Sequence, residues 1–335
     1  MWFEALTGFP EESPQQVREK ITVHGETLRS RVNGRALVWG RLETPSLAEL
    51  RARVRSVGPG NGKGSVREIV GDVQQLHATE SSAGSLFQVA SQFNLLEMVA
   101  PDVTPEQGVG RYENDHTQGP ACAIAAGAGT IYRNYFVNVS GQAGQSATNQ
   151  IDCLADLGAA LGNTRSRLWT MQNGYALSSK AGLNEIASRL RASSEAELDE
   201  LRQLLRIGIQ WNTQVTLADC NHTVSQAYCS ALPVAYSNHP SSLWVEFARL
   251  VLEAAYEATI CAGIVNARST GNNRLFLTLL GGGAFGNDPN WILGAIERAV
   301  NLYRRADLDI AIVSHGAPKK AVQDLAERLQ NQPHS

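Results

Sequence analysis

Two stretches of this 335-residue chain hold residue types that do chemistry. In "LFLTLLGGGAFGNDPNW" (275–291), a run that reads as a buried strand ends in Gly281, Gly282, Gly283, Ala284, Phe285, Gly286 and Asn287, and a helix begins near Pro289. Bare amides between a strand and a helix N-terminus make an anion site at the carboxyl edge of an α/β sheet, so the loop reads as a diphosphate cradle. A tight turn with positive φ would use one glycine; this loop spends four in six residues. The second stretch is acidic: Glu97, Asp102, Glu106, Glu113 and Asp115 fall within nineteen residues. Asp102 and Glu113 read as solvated loop acids. Asp115, in "YENDHTQGPACAIA", stands just ahead of an apolar helix, at the rim of whatever that helix covers.

Other chemistries are excluded on spacing. The glycine loop lies too late in the chain for a Rossmann fingerprint. In the glycine-rich turn at 58–64, Gly58 and Gly62 are too close for a phosphate-binding P-loop, and Lys63 precedes glycine instead of Ser or Thr. "DCNH" (Asp219 to His222) with Cys229 has no second Cys/His pair at metal-finger spacing, so no metal is expected. The five cysteines are odd in number and scattered, unlike a disulfide framework.

The elements that position these stretches follow from patterning. Hydrophobic residues make up 43 % and charged residues 18 %, a globular composition, and the net charge of −3 argues against a nucleic-acid partner. The chain opens without a basic and apolar leader, and no membrane span is read from it, so the expected address is the cytoplasm. "PSLAELRARVRSV" (45–57) starts like a helix or feeds a strand, and the glycine-rich turn after it reads as a hairpin between valine-containing runs. "GSLFQVASQFN" (84–94) is a strand, "GPACAIAAGAGTIYRNYF" a closely packed helix, 224–237 a strand, 241–267 a long buried helix, and "LDIAIVSH" a strand before a final amphipathic helix. Strands alternating with helices predict a three-layer α/β/α mixed sheet. Residues 1–335 read as one domain with an N-terminal extension over 1–60 and a helical insertion over 138–211.

"GGGAFGNDP" resembles the second phosphate loop of macrodomains, in particular the poly(ADP-ribose) glycohydrolase-like branch, and the likeness extends over most of 65–137 and 224–320. The resemblance implies an ADP-ribose ligand. Asp72, in "VGDVQQL", would accept a hydrogen bond from the adenine amino group; Asn94, beside Gln92 in "LFQVASQFN", would hold the distal ribose. Phe285 would close over that ribose and His315 would face adenine. Two features depart from the family: acids stand where a glycine run is usual, and the 138–211 segment is extra.

Acids there suit cleavage of a glycosidic bond, whose oxocarbenium-like transition state a carboxylate stabilises while another orients water. With an arginine leaving group they would also bind the guanidinium. Acids in place of the usual glycines resemble the macrodomain-type hydrolases that remove ADP-ribose from arginine, known from bacterial effectors; that resemblance implies a hydrolase removing ADP-ribose from ADP-ribosylated protein, from arginine first, with Asp115, then Glu106 and Glu97, as catalytic carboxylates and no cofactor. A non-catalytic ADP-ribose reader is the alternative of another class. A poly(ADP-ribose) glycohydrolase is the third, ranked lower because no paired glutamates follow a glycine run.

Overall fold

Seven strands form one sheet, the central ones rich in apolar residues: β1 (Arg41–Glu43), β2 (Ser65–Val70), β3 (Leu86–Ala90), β4 (Gly208–Gln214), β5 (Thr223–Cys229), β6 (Arg274–Thr278) and β7 (Asp309–Ser314). They lie in the order β1-β4-β5-β3-β6-β7-β2. The β1–β4 and β4–β5 pairings are antiparallel and the other four parallel, so the sheet is mixed. The computed structural model describes all residues except 59, 61, 63, 218, 219 and 332–335, so Lys63 and Asp219 lie outside the described residues.

Strand alternation assigns the helices to layers. The Phe87 ring stacks on His77 of the helix Val73–Ala78, while its neighbour Gln88 donates to Thr259 on the helix Val245–Thr270, so these helices cover opposite faces. The helices Gln118–Ala125 and Gly127–Tyr135 lie with His77: Gln226 bonds both His77 and the Cys122 carbonyl, and Arg133 covers the Tyr228 ring. Against the long helix, on the other side, lie Leu47–Val57, Lys180–Ala192, Glu195–Arg202 and Pro289–Leu302. The three layers read from the sequence are present.

β3 and β6 pair only at Leu86↔Leu275 and Phe87↔Phe276, then part. In the gap the Gln88 side chain accepts from Thr278 N at 3.3 Å. Gln118 reaches in from its helix, accepting from Ala90 N (2.9 Å) and donating to Gln88 O (2.8 Å). Two side-chain amides thus satisfy backbone groups that a closed sheet would pair, and the opening is a stable part of the fold.

Several elements differ from the sequence reading. Among the described residues no hairpin forms at 58–64: Ser46 and Glu49 form a capping box that commits 47–57 to a helix, which precedes β2 in the chain. Because β1 and this helix belong to the sheet and its layer, the segment standing apart ends near Val38 instead of residue 60. That segment, two short helices and a three-stranded antiparallel sheet, builds a second apolar core from Phe3, Leu6 and Phe9 against Leu96, Val109, Tyr112 and Tyr135.

The 138–211 stretch holds two hairpins besides its helices, and its end enters β4. One hairpin, Trp169–Gln172 with Tyr175–Ser178, turns on Asn173 and Gly174, both at positive φ, the arrangement an Asn-Gly pair favours. The alanine-rich stretch is two helices broken at Ala126. Finally, Val245–Thr270 is long and apolar enough to cross a membrane, against the expectation that no such segment exists; here 89 % of its 18-residue apolar window is buried, as the core helix of the sheet.

Candidate functional site

A cavity of about 480 Å³ opens where β3 and β6 part, and the glycine loop, the acidic loop and three aromatic rings line it. Tyr256, buried under the loop, donates to Thr278 O and accepts from Leu280 N, fixing how the chain leaves β6. The loop folds back through Asn287 N to Gly281 O (2.9 Å), and Asp288 caps the helix that follows. Gly281 (φ +74) has no room for a side chain, because a Cβ would lie 2.4 Å from that of Ala231; Gly286 (φ +69) is crowded by Ala235. These two glycines answer to turn geometry. Gly282 and Gly283 are exposed, and a Cβ on Gly283 would meet nothing within 4 Å. Among the described residues the amides of Gly283, Ala284 and Phe285 donate to no acceptor. Bare donors beside a helix start are what an anion needs.

Of the loop residues singled out from sequence, Gly281, Gly283, Ala284 and Phe285 line the cavity, and Gly282, Gly286 and Asn287 do not. Asn287 is buried, its amide donating to Leu232 O, so it builds the loop instead of touching a ligand. Gln92 lines the cavity, with Oε1 accepting from Met98 N. Asn94 is fully buried: it accepts from Leu96 N and donates to Gln150, and Gly174 at the hairpin tip sits on it. That hairpin takes Asn94 out of reach of a ligand. Asp72 caps its helix by accepting from Gln74 N and Gln75 N, and neither it nor the exposed His315 lines the cavity.

The acids separate by environment. Glu106 is exposed, accepts from Ala147 N and is absent from the cavity wall, so its place in the catalytic set falls. Asp115 lines the cavity at the rim, its carboxylate accepting from Thr117 N at 2.9 Å. Glu97 lies in the wall, 3 % exposed, and neither carboxylate oxygen has a hydrogen-bond partner among the described residues. The Arg133 guanidinium stands 3.6 Å away, held by Leu95 O and the Tyr228 ring. Burial outweighs its attraction and pushes the Glu97 carboxyl up to about 8. Gly119 makes room for it: a Cβ there would lie 2.0 Å from Ala90 O and 3.1 Å from Glu97 Cγ.

Sequence reasoning named Phe285 but missed the two tyrosines that complete an aromatic wall with it. Tyr175, Tyr236 and Phe285 meet at ring distances of 5.1 to 5.5 Å from three separate segments, and the Tyr175 hydroxyl is anchored on Met98 O. The Asn173-Gly174 pair announces the hairpin that carries Tyr175. It also missed Arg133, the one basic residue of a helical stretch otherwise alanine- and glycine-rich.

No protein-family model and no curated protein matches the chain. Solved structures similar to it include poly(ADP-ribose) glycohydrolase from Thermomonospora curvata, at 14 % identity over 94 % of this chain and 95 % of that one, with a TM-score of 0.46. The same enzyme bound to the inhibitor ADP-HPD gives 13 % identity over the same shares and a TM-score of 0.43. Poly(ADP-ribose) glycohydrolase from Deinococcus radiodurans in complex with ADP-ribose gives 15 %, over 87 % of this chain and 93 % of that one, with a TM-score of 0.42. At such identities and scores the likeness supplies no residue-by-residue correspondence.

Proposed function

We propose that the protein is a hydrolase that binds ADP-ribose in this cavity and releases it from an ADP-ribosylated substrate. The observation that carries the reading is the Glu97 carboxyl, buried and without hydrogen-bond partners among the described residues, in the wall of the cavity that the glycine loop also lines. A carboxyl raised to about 8 is still protonated at neutral pH and is a proton donor. Glu97 gives its proton to the glycosidic oxygen as the bond to the ribose carbon breaks, the electron pair leaving on that oxygen. Water adds to the resulting oxocarbenium ion and yields its proton to Asp115.

This chemistry favours an O-glycosidic bond, between riboses as in poly(ADP-ribose) or to a side-chain oxygen, because such a leaving group needs a proton. An arginine guanidinium is already protonated. One observation keeps the arginine linkage in view: Asp115, whose carboxylate accepts from Thr117 N, lines the cavity at its rim, where a cation can reach it. Incubation with arginine-, glutamate- and serine-linked ADP-ribosyl peptides and with poly(ADP-ribose), following free ADP-ribose, decides. Release from oxygen-linked substrates is expected; release from arginine alone would reverse the assignment of the bond. Tight ADP-ribose binding with no release from any of them would make the protein a reader.

A further inference from the structure

We propose that Glu11, between the helices Trp2–Thr7 and Pro14–Lys20, is a positioning residue that ties the acidic loop into the conformation presenting Glu97 and Asp115 to the cavity. The inference rests on the functional reading above. Glu11 Oε1 accepts from Val109 N at 3.0 Å and from the Tyr135 hydroxyl at 2.5 Å, and Oε2 accepts from Gly110 N at 2.6 Å. One carboxylate thus joins the loop to the helix Gly127–Tyr135, and charge strengthens each bond. The loop is shaped around it: Gly108 has φ +85, and a Cβ there would stand 2.4 Å from Glu11 Oε2. Trp2 adds two ties, its indole N–H to Val109 O (3.3 Å) and its backbone N–H to Glu113 (3.1 Å).

From this anchor both acids follow. The turn Gly110–Asn114 places the buried Tyr112, whose hydroxyl accepts from Glu97 N at 3.0 Å, and delivers Asp115 at its end. Without Glu11 the Val109 and Gly110 amides lose their acceptor, the turn loosens, and water reaches Glu97. The groups facing Glu97 are Arg133 on its helix, Tyr112 and Asp115 on the loop, Tyr228 on β5 and Cys122 on the helix Gln118–Ala125. None of them changes in a Glu11 variant, so an altered Glu97 titration reports the loop.

The test compares Glu11→Ala and Glu11→Gln with Glu12→Gln, a control whose partner is Gln16 alone. In Glu11→Ala, hydrogen exchange at the Val109 and Gly110 amides should rise about tenfold or more while β3 amides stay protected. On an ADP-ribosylated substrate kcat should fall by about tenfold with KM unchanged. The alkaline limb of the pH–rate profile should move to lower pH as Glu97 is hydrated. Glu11→Gln, which keeps one acceptor oxygen, should fall between, and it carries the comparison if the alanine variant does not fold. Wild-type exchange at Val109 and Gly110, or an unmoved kcat and alkaline limb, overturns the proposal. If the wild type cleaves no ADP-ribosyl bond, the functional reading fails by itself, and exchange still decides whether Glu11 holds the loop.

Discussion

At the scale of single residues, Glu97 sets two opposed expectations. In the proposed reaction Glu97 is the proton donor, which an amide cannot replace, so Glu97→Gln should cut turnover by about a hundredfold or more. For stability the sign reverses. The folded carboxyl titrates near 8 and the unfolded one near 4.5, so the folded state holds the proton more tightly. The stability this carboxyl contributes is therefore fully present below the lower value and is lost as pH rises through the window to about 8. Glu97→Gln removes that loss, and its melting temperature should exceed the wild type's at pH 8.5 but match it near pH 4. Asp115 is tested by Asp115→Asn: turnover down by about a hundredfold, with free ADP-ribose affinity little changed by calorimetry, because the loop amides supply that affinity. Wild-type turnover in the Asn variant would remove Asp115 from the reaction.

At the scale of elements, the glycine loop divides into positions that serve the fold and positions that serve a ligand. Gly281→Ala meets Ala231 and carries a positive φ, and should cost about 2 kcal/mol or more of stability in urea unfolding. Gly283→Val meets nothing, should leave stability alone, and should weaken ADP-ribose binding by covering the open amides. β3, β6 and β7 were legible because each is a mainly apolar run bounded by glycine or polar residues, and the loop because its four glycines directly follow one of them. Asn94 was misread for a reason no local pattern reveals: the hairpin that buries it begins at Trp169, far along the chain. Glu97 ranked below Asp115 although a signal was present. It is a single acid among Leu95, Leu96 and Met98, all buried, and an acid in apolar company is desolvated.

At the scale of the whole molecule, a buried polar chain crosses the sheet's covered face: His77 Nδ1 donates to Val73 O, its Nε2 accepts from Gln226, and Tyr228 donates to Gln226 Oε1. That geometry needs neutral His77, and burial holds its pKa down at about 4. The unfolded histidine protonates near 6.5, so the stability that neutral His77 contributes is complete above that pH and is lost as pH falls towards 4, by about 3 kcal/mol in all. His77→Gln should flatten this acid limb in denaturant titrations at pH 4 to 7. Saturating ADP-ribose should raise the melting temperature of the intact protein by mass action; an unchanged value would remove ADP-ribose as the ligand. The strand order bears on how the molecule comes into being. Among the described residues β2 pairs only with β7, whose Asp309 follows Ser65 by 244 positions, and β7 alone covers the far edge of β6. A ribosome delivers every cavity residue, ending with Phe285, before it delivers β7. Through that interval the nascent chain carries a complete site beside an open, apolar strand edge, and it is then that it most needs shielding from its neighbours.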